Sequence, residues 1–155
     1  PSPLSDTTPE PTISDVPPTR RESQTPVTAL AAAAVDALLD REAQEIRVID
    51  LRGKGGVAAL LVLATGTTDV QVRALSESVR QGVKEAHGEK PWRSEGTELN
   101  QWVVLDYVDL VVHLFQPERR SFYGLERLWG DAPYEDIDPD ADSSAGIAML
   151  HPSSE

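Results

Sequence analysis

Between residues 27 and 39 the apolar positions recur every third or fourth residue: Val27, Leu30, Ala31, Ala34, Val35, Leu38 and Leu39. That spacing lines one side of a helix, and Thr25 or Thr28 stands where a cap is needed. The pattern then shortens. Residues 45–51 form a β-rich run that ends at Gly53, Gly55 and Gly56, and residues 60–64 are continuously apolar. Both predict buried strands. Thr65-Gly66-Thr67-Thr68-Asp69 supplies turn and cap residues, after which Val72, Leu75, Val79 and Val83 return to helical spacing as far as His87-Gly88.

The second half repeats the alternation of period. Residues 92–94 suit a short strand, and residues 102–105 and 110–115 are two β-rich runs separated by Asp106-Tyr107-Val108-Asp109, a natural antiparallel connection. Pro117 opens a third helix with Phe122, Leu125 and Leu128 on its apolar side, Tyr123 and Trp129 nearby, and Gly130 where a C-cap glycine is expected. Helices and strands in this order predict an α/β fold, a mixed sheet flanked by helices.

The flanks differ in kind. Residues 1–26 hold seven prolines and hardly a bulky apolar residue, so burial cannot offset the entropy of ordering them, and a disordered N-terminal arm is expected. Residues 134–155, with six acids and no base, read as an acidic disordered C-terminal tail. One domain over residues 27–133 remains. The formal charge is -12 for the whole chain, but only -4 for residues 27–133. Phosphate binding depends on Lys and Arg, so this charge favours a basic protein partner and predicts little direct RNA contact. With no cysteine neither disulfide nor thiolate metal site can form. No signal-like segment or long apolar run is present, and a cytoplasmic protein without a membrane span is expected.

Four groups could carry chemistry. The Thr65–Thr68 loop joins a strand to a helix, where free N–H groups can hold phosphate, but it lacks the P-loop lysine and the glycines of a dinucleotide fingerprint, and a turn with an N-cap is the stronger reading. Asp106 and Asp109 could attract Mg²⁺, yet acids at a hairpin turn are usually solvated ends, and no third carboxylate converges on them. His113 shares a strand face with Val111 and Phe115. It has no evident nucleophile as partner, which favours a structural or interfacial role. Trp102, at the start of a hairpin strand, reads equally as a core anchor or an interface anchor. Tyr107 at the turn reads as exposed, and with Trp102 suggests a protein-contacting edge.

Several strings then align with a known pattern. Asp50-Leu51-Arg52, Leu63-Ala64-Thr65-Gly66-Thr67-Thr68, Gln71-Val72, Glu95-Gly96, Trp102-Val103-Val104-Leu105-Asp106-Tyr107, Asp109-Leu110-Val111-Val112-His113 and Arg120-Ser121-Phe122-Tyr123-Gly124-Leu125-Glu126-Arg127-Leu128-Trp129 resemble, in order and spacing, the RsfS/Iojap family of ribosomal silencing factors. The resemblance implies a nucleotidyltransferase-like fold without the catalytic acids, no enzymatic activity and no cofactor. It implies a partner too: the large ribosomal subunit, through its ribosomal protein L fourteen, with the small subunit sterically excluded when nutrients are short. A role in large-subunit maturation is the alternative, and residual nucleotide binding a more distant one. The partner-binding residues it implies are Trp102, Asp106, Tyr107 and Asp109, followed by Glu95, Arg93 and His113. A homodimer off the ribosome is a further expectation, and no DNA is involved. The family usually has Gly at the position of Val108 and commonly Asp at that of Ala59.

Overall fold

Helix α1, Val27–Asp40, buries Val27, Leu30, Ala31, Ala34, Val35 and Leu38, as its spacing requires. Its N-cap position is occupied by Pro26, which supplies no side-chain cap. Thr28, one of the two expected caps, is already inside the helix. The computed structural model describes residues 25–52, 58–123 (backbone only for 121–123) and 130–151, so the expected N-terminal arm lies outside the described residues up to position 24.

Strands β1 (Gln44–Asp50) and β2 (Leu60–Thr65) follow, then helix α2 (Asp69–His87), β3 (Arg93–Glu95), β4 (Trp102–Asp106), β5 (Leu110–Phe115), α3 (Pro117–Tyr123) and β6 (Tyr134–Asp136). The described strands form one mixed sheet in the order β3-β4-β5-β2-β1-β6. The pair β2 and β5 is parallel, with Leu60 opposite Leu110 and Thr65 opposite Phe115, and the other pairs are antiparallel. A parallel pair needs a crossover, and α2 lies within it. The sheet is therefore α/β with its helices flanking, as expected.

The loop before α2 is a cap. Thr68 Oγ1 accepts from the Gln71 N–H at 3.0 Å, and Gln71 Oε1 accepts from the Thr67 N–H at 2.8 Å. The Gly66 N–H goes to the Phe115 carbonyl at 2.9 Å. Three N–H groups that could have held a phosphate are thus spent within the protein. Gly66 is required sterically, because a Cβ there would stand 2.9 Å from Val72 Cγ2. At the other end Gly88 adopts φ 71° and its N–H returns to the Lys84 carbonyl, the expected glycine cap.

The acidic C-terminal segment departs from expectation. Residues 134–136 pair with β1 as its outer neighbour, Ile49 opposite Tyr134 and Arg47 opposite Asp136. Arg47 Nε donates to Asp136 Oδ1 at 2.6 Å, and its guanidinium lies 4.0 Å from the Tyr134 ring centre. Ile137, Ile147 and Leu150 are buried in the main core beside α1. Carboxylates tie the segment down: Asp36 Oδ1 of α1 accepts from the Ser144 N–H at 2.6 Å, and within the segment Glu135 accepts from those of Ala148 and Met149. A scattered set of apolar residues suffices because the unpaired edge of β1 supplies hydrogen bonds that composition does not record.

Strand alternation divides the apolar residues between two faces. Ile46, Val48, Leu60, Val62, Ala64, Val103, Leu105, Leu110, Val112 and Leu114 join the core cluster shared with α1 and α2. Ile49, Leu51, Leu61, Leu63 and Phe115 form a second cluster on the opposite face, with Trp102 and Val111 packed against it while partly exposed.

Candidate functional site

The second face is open towards β3. Register fixes its layout in three rows: Trp102 opposite Phe115 opposite Thr65; Glu95 opposite Val104 opposite His113 opposite Leu63; Arg93 opposite Asp106 opposite Val111 opposite Leu61. Each row passes from the β3 edge or β4, where the side chains are exposed or half-buried, to a fully buried residue on β2. Five of the seven residues implied by the resemblance, Trp102, Asp106, His113, Glu95 and Arg93, therefore share one surface.

Trp102 is held, not loose. Its indole Nε1–H donates to His113 Nδ1 at 3.0 Å. Its ring lies 5.7 Å from that of Phe115 and 6.0 Å from that of His113, and His113 stacks on Phe115 at 5.9 Å with 17° between planes. These separations suit aromatic packing. Burial pushes the His113 pKa down to about 4, so at neutral pH the ring is uncharged and Nδ1 can accept. Of the three rings, that of Phe115 is fully buried.

Arg120 backs the cluster from α3. Its guanidinium sits 5.8 Å from the Phe115 ring centre, and Nη1 donates to the Glu45 carbonyl at 2.7 Å and to Thr65 Oγ1 at 2.8 Å. The Glu45 carbonyl is available because β1 is irregular between Gln44 and Arg47, with Glu45 at φ 50°. Arg120 opens the last string of the resemblance, but nothing in the sequence marked it as buried, and the half-exposed pair Val104 and Val111 was not singled out although the parity of their strands could have found it.

Tyr107 is a correction. It continues the parity of Val103 and Leu105, faces the helices and is only 6% exposed, in the main core. It is thus neither an exposed turn tip nor a neighbour of Trp102, which lies on the other face. Its hydroxyl is buried without a hydrogen-bond partner among the described residues, and burial pushes its pKa up to about 12. Asp109 stands in the turn, where its carbonyl accepts from the N–H groups of Ala59 at 2.7 Å and Leu60 at 3.0 Å. Asp106 Oδ1 accepts from the Val108 N–H at 2.8 Å. Val108 itself keeps φ at 77°, the conformation a glycine would favour. The Tyr107 carbonyl accepts from the Asp109 N–H and the Tyr107 N–H donates to the Leu110 carbonyl, so the turn is fixed from both sides.

Strands β4 and β5 are both interior to the sheet, and the free edge on that side is the three-residue β3. Edge pairing between copies is therefore not open to the hairpin. Among the described residues no group of three or more His, Cys, Asp or Glu is placed to hold a metal ion, and no helix is long and apolar enough to cross a membrane.

Fold and face together define a class: an α/β protein with one sheet face sealed by helices and the other presenting an anchored tryptophan. A family model described as "Ribosomal silencing factor during starvation" matches residues 23–152, and the chain belongs to that family. The match runs well beyond residue 133 and includes β6 and the residues that follow it. The ribosomal silencing factor RsfS of Bacillus subtilis is 37% identical over 116 residues, covering 75% of this chain and 95% of its own. That of Zymomonas mobilis is 42% identical over 101 residues, 65% of this chain and 75% of its own. A crystal structure of a Chromobacterium violaceum protein superimposes with a TM-score of 0.66 at 31% identity, covering 76% of this chain and 98% of that one.

Proposed function

We propose that this chain docks on the large ribosomal subunit through the Trp102 face, seating it on ribosomal protein L fourteen, and that its bulk then excludes the small subunit and represses translation. The observation that carries this reading is the anchored indole. Trp102 is partly exposed yet held by a hydrogen bond and two ring contacts. Exposed aromatic surface that is already immobile loses little entropy on binding, and such residues dominate protein interfaces. Val104 and Val111 extend the apolar centre, while Glu95, Arg93 and Asp106 form a charged rim. The chain's net charge of -12 suits a basic partner such as a ribosomal protein. Membership of the silencing-factor family supports the ribosome as the target. Steric exclusion requires neither cofactor nor reaction.

Co-sedimentation with separated large subunits, small subunits and whole ribosomes tests the reading. Pelleting with the large subunit alone is expected, with loss of whole ribosomes on remixing. Trp102→Ala should weaken binding by about 2 kcal/mol or more, the range for a central aromatic anchor. Undiminished pelleting of a folded Trp102→Ala protein would remove this face from the interface.

A further inference from the structure

Trp102 is accompanied on the open face by a polar atom with a fixed direction. An indole N–H can only donate, so the 3.0 Å contact between Trp102 Nε1 and His113 Nδ1 makes Nδ1 the acceptor. The neutral imidazole must then carry its proton on Nε2. Among the described residues Nε2 makes no hydrogen bond, and it is not one of the enclosed atoms left without a partner, so it reaches the surface. It belongs to the row Glu95, Val104, His113, Leu63, so its nearest neighbours across the strands are apolar on both sides. Stacking on Phe115 and the bond to Trp102 together stop the ring from turning.

We propose that His113 is a specificity-determining residue of the docking face, whose Nε2–H donates to a main-chain carbonyl oxygen of the docked protein. The inference rests on the docking reading above. A partner that covers Val104, Val111 and Trp102 also covers this donor, and a buried donor without an acceptor is unfavourable. The acceptor is uncharged, because the rim beside the donor holds two acids, Glu95 and Asp106, against the one base Arg93, which is already paired with Glu95 at 3.8 Å, and the remaining negative charge repels a carboxylate. A backbone carbonyl meets the requirement without a particular side chain. His113 thus does two things: one nitrogen orients the apolar anchor, and the other fixes the register in which a partner lies against it.

His113→Asn separates the two roles. Asn Oδ1 can replace Nδ1 as acceptor for the indole, while no group of Asn reaches the position of Nε2. The expected result is a Trp102 indole N–H that still exchanges slowly with solvent in the free variant, with binding to large subunits weakened about tenfold, the effect of one unsatisfied buried group. Wild-type binding with that slow exchange kept would overturn the proposal and leave His113 as a prop for Trp102. Trp102→Ala, run alongside, distinguishes the two readings: if it too binds normally, the docking face itself is wrong. Should His113→Asn not fold or lose the indole signature, nitrogen-15 spectra of His113 in the unaltered chain decide, free and bound to purified ribosomal protein L fourteen. A ring protonated at Nε2, with that proton exchanging more slowly in the complex, is expected. Protonation at Nδ1, or exchange as fast bound as free, would overturn the proposal.

Discussion

The two faces of the sheet are made by the same strands, yet one is sealed and the other graded. Towards α1 and α2 every inward residue of β4 and β5, from Val103 and Leu105 to Leu110, Val112 and Leu114, is fully buried. One residue along, Trp102, Val104, Val111 and His113 are only partly covered. Alternation alone makes both faces apolar. The difference comes from what lies over them, so apolar composition in a strand does not by itself say which face is core.

Removing packing from each face should sharpen that contrast most. Leu75→Ala, at a fully buried α2 position, is expected to lose about 2–5 kcal/mol in urea unfolding, whereas Val104→Ala should lose about 1 kcal/mol or less, since its side chain is already partly in water. Equal losses would mean that the faces are equally packed.

Next in size are two opposite pH responses. On the open face the His113 pKa is pushed from 6.5 down to about 4, so the unfolded chain takes up the proton first as pH falls. Stability is full above 6.5 and declines towards pH 4 by about 3 kcal/mol. On the sealed face the Tyr107 pKa is raised from 10.0 to about 12, so the unfolded chain loses its proton first as pH rises. Stability is full below pH 10 and declines towards pH 12, by about 2–3 kcal/mol. Unfolding midpoints measured across pH should show both limbs, with His113→Phe flattening the acid one and Tyr107→Phe the alkaline one. A variant that leaves its own limb intact would acquit that residue.

The smallest effect is expected at the turn joining the two strands that share these faces. Val108 holds φ at 77°, where a β-branched residue is strained by about 1–3 kcal/mol. Glycine removes that strain but adds unfolded-chain entropy, so Val108→Gly should stabilise by about 1 kcal/mol in the same denaturation assay. A destabilised variant would show that the turn is not strained.

Much of this was legible in the sequence where a periodicity ran long enough. The spacing of Val72, Leu75, Val79 and Val83 located α2, and Thr68 and Gly88 marked its ends. Four members of the open face, Trp102, Asp106, His113 and Glu95, were named because the motif strings of β3, β4 and β5 contain them. Tyr107 was misplaced because a turn position outweighed strand parity, although residues 103, 105 and 107 share a side. The strand Tyr134–Asp136 was missed for a different reason. Three residues carry no period, and the feature that recruits them, the bare edge of β1, lies 89 positions away at Arg47 and Asp136. The Trp102–His113 bond likewise depends on a cross-strand register that only the folded hairpin defines.

That separation also sets an order of events during the protein's own synthesis. A ribosome releases β1 early and β6 late, since chains emerge from the N-terminal side at about 5–20 residues per second. Until the later segment appears, β1 has β2 on one side and an unoccupied edge on the other, and Ile46 and Val48 have yet to gain Ile137, Ile147 and Leu150 beside them. The nascent chain thus completes this sheet only after the β4–β5 hairpin has been made, and the last of its strands to emerge covers the first.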